Sequence, residues 1–99
     1  MIRIEDFNNA IDFIYKKAKE CDVEIVQVEG GFSSFTFYGK TRRYVTPIYA
    51  EINTENAAIR LGYPLVEETS FFSICADGTV VQISEREYDK YGDYDDDYE

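Results

Sequence analysis

Between residues 4 and 18 the apolar positions Ile4, Phe7, Ile11, Ile14 and Ala18 recur at steps of three and four, and Ala10 and Phe13 widen the stripe. Asn8, Asp12, Lys16 and Lys19 fall on the opposite side, which predicts one amphipathic helix of about four turns. Glu5 and Asp6 stand in its first turn and Lys16, Lys17 and Lys19 in its last, where the helix dipole favours each sign of charge. After Asp22 the period shortens to two. Runs of β-branched and aromatic residues at 23–28 and 32–38 flank Gly30-Gly31, and a two-residue glycine turn there predicts a hairpin. Such a turn pairs Val26 with Phe35 and Ile25 with Thr36, and sends Phe35 and Phe37 to one face and Thr36 and Tyr38 to the other.

A third alternating run covers residues 44–52. Pro47 within it cannot donate to a ladder, which places this strand at a sheet edge or gives it a bulge. Asn53-Thr54-Glu55-Asn56 is a turn whose Thr54 also suits the N-cap of a short helix over residues 57–61, ended by Gly62 with Pro64 beyond. Residues 70–84 carry the clearest hairpin signal, because Asp77-Gly78 joins two strand-like runs in the manner of a type I′ turn. A two-residue turn pairs Ile74 with Val81 and Phe72 with Ile83 on one apolar face, leaving Ser73 and Gln82 on the other. Ser84 and Glu87 stand at capping-box spacing and open a brief helix that stops at Gly92.

Together these elements predict an α+β fold, with the N-terminal helix packed on a mostly antiparallel sheet of four or five strands. Ile4, Phe7, Ile11, Ile14, Phe72, Ile74, Val81 and Ile83 are the expected core. Residues 1–84 read as a single domain, followed by an acidic, Tyr- and Asp-rich segment at 85–99.

Composition changes this picture mainly through charge. The 99 residues leave room for one core, and twenty acidic side chains against ten basic ones give a net charge of -10. A broad basic face for nucleic acid is thereby excluded, since phosphate neutralisation needs surplus lysine and arginine. The absence of histidine removes the commonest general base and the commonest transition-metal ligand. Cys21 and Cys75 stand in no ligand spacing and read as reduced thiols, with a bridge between them as the alternative in an oxidising compartment. The acidic residues near the N-terminus do not suit a signal peptide, and no stretch approaches the roughly 18 apolar residues of a spanning helix. A cytoplasmic location is expected.

Gly39-Lys40-Thr41 resembles a phosphate-binding loop only locally. The earlier glycine is replaced by Ser34, and Arg42-Arg43-Tyr44-Val45 reads as loop passing into strand, not helix. Lys40, Arg42 and Arg43 therefore read as a solvated loop, with a contact to an anion or an acidic partner as the alternative. Asp93, Asp95 and Asp97 have the alternate spacing of a calcium loop, but Tyr98 stands where its glycine belongs. Neither Ser33-Ser34 nor Cys75 sits in a nucleophile pattern. No catalytic residue, cofactor or metal ligand is expected.

The remaining signal is the C-terminal segment. Residues 85–99 hold eight acids and two bases, a net of -6. Tyr88, Tyr91, Tyr94 and Tyr98 recur at steps of three, three and four and would form one aromatic stripe on a helix backed by acids. Gly92 weakens such a helix by about 1 kcal/mol, so its full length is expected only on a partner. Tyr88, Tyr91, Asp93, Tyr94, Asp95, Asp96, Asp97 and Tyr98 are thus the candidate partner-binding residues, tyrosine being an enriched interface anchor. The alternative is a solvated tail that serves solubility. Extended, residues 93–99 span about 23 Å at one charge per ~5 Å, against one per ~1.7 Å of duplex DNA. Acids of the folded part, Glu24, Glu29, Glu51 and the Glu67-Glu68 pair, would have to supplement them.

In its short acid-rich chain, one helix followed by hairpins, and the Asp/Tyr end at 88–99, the sequence resembles the small acidic inhibitors of phages and mobile elements, including anti-CRISPR and anti-restriction proteins. The resemblance is one of overall style and transfers no site. It implies stoichiometric occlusion of a basic nucleic-acid-binding protein, an effector or nuclease, without turnover. An immunity or antitoxin protein that neutralises a nuclease toxin, and a structural phage or bacterial module, remain the other readings.

Overall fold

The apolar stripe folds as helix α1 (Ile4–Glu20), which buries Ala10, Ile14 and Ala18. A computed structural model describes residues 3–31, 33–41, 45–46 and 48–92 of the chain. After α1 come strands β1 (Glu24–Gly30), β2 (Ser34–Lys40), β3 (Val45–Thr46), β4 (Ala50–Asn53), β5 (Ala58–Leu61), β6 (Ser70–Ile74) and β7 (Val80–Ile83), then helix α2 (Glu85–Gly92). Every strand pairing is antiparallel, in the order β1-β2-β4-β5-β6-β7, with the two-residue β3 also on β2. The expected α+β arrangement of helix on sheet is present, with six strands along this path in place of four or five.

The core lies between α1 and the inner face of the sheet. Phe37, Ile14, Ile52, Ile59 and Leu61 are its largest fully buried side chains. Aromatic contacts bind helix to sheet along the length of α1: Phe7 on Phe35 at 5.0 Å, Phe13 on Phe72 at 5.1 Å and Tyr15 edge-on to Phe37 at 6.3 Å. Phe35 and Phe37 thus share the face predicted for them. Ile4 does not join the core and is 79% exposed. It lies a turn before Phe7, which already meets the sheet at the second residue of β2, so Ile4 projects past the strands.

Turn lengths explain the register differences. In the β6–β7 hairpin the Gly78 amide donates to the Cys75 carbonyl at 2.8 Å and the Cys75 amide to the Thr79 carbonyl at 2.8 Å. Asp77 Oδ1 accepts from the Thr79 amide at 3.0 Å, and Gly78 sits at φ +90°. The loop therefore has three residues, with glycine in the left-handed position, where the sequence suggested two. One extra loop residue slides the ladder by one: Ile74 pairs with Val80, Phe72 with Gln82 and Phe71 with Ile83. Every β7 side chain consequently changes face. Val80 packs against the core, Val81 is 47% exposed, and Ile83 turns to the outer face with Phe71.

The first hairpin also turns later than predicted. Gly30 stays in β1 opposite Phe35, Val28 faces Phe37, and an irregularity between Ile25 and Gln27 marks a bulge at Val26. The run at 44–52 splits into β3 and β4, which pair with opposite ends of β2. β4 is no edge strand, since it lies between β2 and β5. Pro47 is outside the described residues. The short helix at 57–61 is absent. Ala58–Leu61 is strand β5, paired on both sides and burying Ala58, Ile59 and Leu61. Two ladders and three buried side chains outweigh the propensity of a single helical turn. The Ser84–Glu87 capping box forms as predicted: the Glu87 amide donates to Ser84 Oγ at 3.1 Å and the Ser84 amide to Glu87 Oε1 at 3.2 Å.

Cys21 and Cys75 are free and half-buried, and Cys21 Sγ donates to the Leu65 carbonyl at 3.7 Å. Among the described residues no helix is long and apolar enough to cross a membrane.

Candidate functional site

Sheet register brings side chains from six strands into one row on the outer face, the side away from α1. Glu29 pairs with Thr36, Thr36 with Glu51, Glu51 with Arg60, Arg60 with Phe71, and Phe71 with Ile83. Side chains directly opposite one another on neighbouring strands point the same way. The row therefore runs from acid through an ion pair to an apolar end.

Helix α2 covers the apolar end. Tyr88 packs on Phe71 with ring centroids 5.1 Å apart and forms a second small core with Ala58 and Phe71, flanked by Ile83. Next to it Arg60 donates to Glu51 Oε1 at 2.7 Å, with its guanidinium 4.6 Å from the Tyr49 ring and 6.0 Å from that of Tyr88. A carboxylate and two aromatic faces so hold one cation in place. Burial, and after it the negative charge of Glu51, pushes the Tyr88 hydroxyl up to about 12.

Tyr49 reaches Arg60 because Gly62 has no side chain, and a Cβ at that position would overlap the Tyr49 ring. Gly62→Ala is accordingly expected to displace the ring from Arg60 and to destabilise the chain by about 2 kcal/mol, as overpacking does. A lowered urea midpoint with an unchanged slope checks this.

At the other end of the row the cover stops. Glu29 accepts from the Tyr38 hydroxyl at 3.0 Å and from Gln27 Nε2 at 3.3 Å. The hydrogen bond to Glu29, and then its negative charge, raises the Tyr38 hydroxyl above the ordinary tyrosine value. Among the described residues no cationic side chain forms an ion pair with Glu29. By contrast, Arg3 is held by Asp6 at 3.0 Å and Glu5 at 3.4 Å, Lys17 by Glu20 at 3.8 Å and Lys40 by Glu24 at 3.7 Å.

The sequence-predicted partner residues divide sharply. Tyr88 is 8% exposed and anchors α2 to the sheet, so its ring is not presented to a partner. Tyr91 lies in α2, one turn further on. Asp93, Tyr94, Asp95, Asp96, Asp97 and Tyr98 are outside the described residues, as are Arg42 and Arg43 of the basic loop. Glu29 and Glu51, named in the sequence as supporting acids, do share one face. Tyr38, Tyr49 and Arg60 are not joined to those acids by the sequence pattern, because a turn at Gly30-Gly31 sets a register that keeps Tyr38 from Glu29, and a helix at 57–61 keeps Arg60 from pairing with Glu51. Their one signal is the polar phase of their strand alternation.

Comparison of the chain with protein-family models, curated proteins and solved structures finds no match.

Proposed function

We propose that the chain is a non-enzymatic acidic protein that binds a basic nucleic-acid-binding protein and inhibits it by occluding the surface that protein uses for nucleic acid. One observation carries this reading: of twenty acidic and ten basic residues, Arg3, Lys17, Lys40 and Arg60 are each engaged by a carboxylate of the same chain. The charge left for a partner is negative. Such a surplus steers encounter with a cationic groove and disfavours other partners. Residues 93–99, with five acids in seven positions, add to it directly after α2.

The test compares the immobilised full chain with a chain ending at Gly92, a cut that keeps Tyr88 and the α2 packing. Proteins retained from a bacterial lysate at physiological salt are identified by mass spectrometry, with and without competing duplex DNA. Basic nucleic-acid-binding proteins, released by the DNA and retained less by the shortened chain, are the expected catch. Retention of no basic protein at physiological salt would overturn the reading.

A further inference from the structure

The outer face of the sheet is covered over only part of its width. α2 lies on β5 and β6, where Tyr88 closes over Ala58 and Phe71. None of the described elements lies over Gln27 and Glu29 of β1 or Thr36 and Tyr38 of β2. Behind these strands α1 packs on the inner face through Phe7–Phe35 and Tyr15–Phe37, so the uncovered side chains rise from a backbone fixed on its other side.

Within the same face the chain shows how it holds a guanidinium. Arg60 is paired with Glu51 and lies against the Tyr49 ring. Glu29 and Tyr38 repeat that combination of carboxylate and tyrosine, joined at 3.0 Å and already oriented by hydrogen bonding. Glu29 and Glu51 stand in one row with Thr36 between them, two strand spacings or about 10 Å apart. Two neutral donors fix the Glu29 carboxylate without neutralising it. A planar guanidinium suits such a place better than an ammonium, because it can pair with the carboxylate in its own plane and still lie flat on the ring.

We infer that the uncovered part of this face, centred on Glu29 and Tyr38, is a docking surface for an arginine-bearing segment of a protein partner. The inference rests on the proposed function and places part of the binding on the folded body, apart from residues 93–99. Charge complementarity selects the occupant: the exposed carboxylate and the half-buried tyrosine beside it call for a cation with a flat face.

The probe is a ten-residue peptide of alternating arginine and threonine, with its lysine–threonine counterpart, titrated into the ¹⁵N-labelled full chain at physiological salt. Saturable shifts at the amides of Gln27, Glu29, Thr36 and Tyr38, with tighter binding of the arginine peptide, are expected. Glu29→Gln should weaken that binding about fivefold, the scale of one partly exposed ion pair, and Asp12→Asn, on the exposed side of α1, should leave it within about twofold. The same spectra show that both variants are folded. Equal weakening by the two variants overturns the inference. So do saturable shifts that disappear in the chain ending at Gly92, although these leave the proposed function standing. Absence of saturable shifts anywhere in the chain counts against both.

Discussion

Replacing Phe37 with alanine is expected to destabilise the chain by about 4 kcal/mol, the loss typical of a large aromatic side chain removed from a packed interior. Phe37 is 1% exposed in the middle of β2, opposite Val28 and edge-on to Tyr15 of α1. Its ring is held between β1 and α1, so collapse into the cavity is limited and the cost falls at the upper part of the usual range. Domains of this size are stable by only about 5–15 kcal/mol, and such a variant should be partly unfolded at modest temperature. Ile4→Ala provides the contrast. Both positions are apolar in elements the sequence identifies, but Ile4 projects beyond the sheet and its removal should change stability by less than about 0.5 kcal/mol. Urea unfolding followed by circular dichroism measures both.

The second large effect is expected at Tyr88. Tyr88→Ala should cost about 3 kcal/mol, since it opens the small core with Phe71 and Ala58 that ties α2 to the sheet. Tyr88→Phe keeps the ring and should be close to neutral at pH 7. The two forms then separate at high pH. The Tyr88 hydroxyl is pushed up to about 12 in the folded chain. An unfolded tyrosine titrates near 10, so folding favours the neutral form. Its stabilising contribution is complete below about pH 10 and is lost as pH rises toward 12, about 2 kcal/mol in all. The stability of the parent chain should therefore fall relative to Tyr88→Phe over that interval. Parallel curves for the two proteins from pH 9 to 12 would show that Tyr88 is not buried as described. For the same reason, removing all of residues 85–99 should destabilise the fold, whereas ending the chain at Gly92 should not.

What the sequence makes legible follows the range of each signal. The period of α1 and the Ser84–Glu87 capping box are written within a few residues, and both appear in place. Asp77-Gly78 marks the turn correctly. The number of loop residues depends on how Thr79 bonds to Asp77 and Cys75, and that one-residue difference exchanges Val81 for Val80 in the core. Residues 57–61 look helical in isolation because their strand character comes from β4 and β6 on either side. Tyr88 fits an aromatic stripe at steps of three and four, but its contacts with Phe71 and Ala58 on neighbouring strands, which no local spacing shows, turn it into the core. The Glu29–Tyr38 and Glu51–Arg60–Tyr49 groups are assembled entirely by sheet register, so no local pattern announces them.

The acidic surplus is the centre of the functional account, and the salt dependence of binding tests it most directly. The affinity of the full chain for a captured basic protein is measured across a salt series, beside Glu29→Gln and the chain ending at Gly92. Recognition by negative charge predicts an affinity that falls steeply as salt rises, weaker binding by both variants at low salt, and curves that converge at high salt. An affinity indifferent to salt and equal in all three proteins would contradict it.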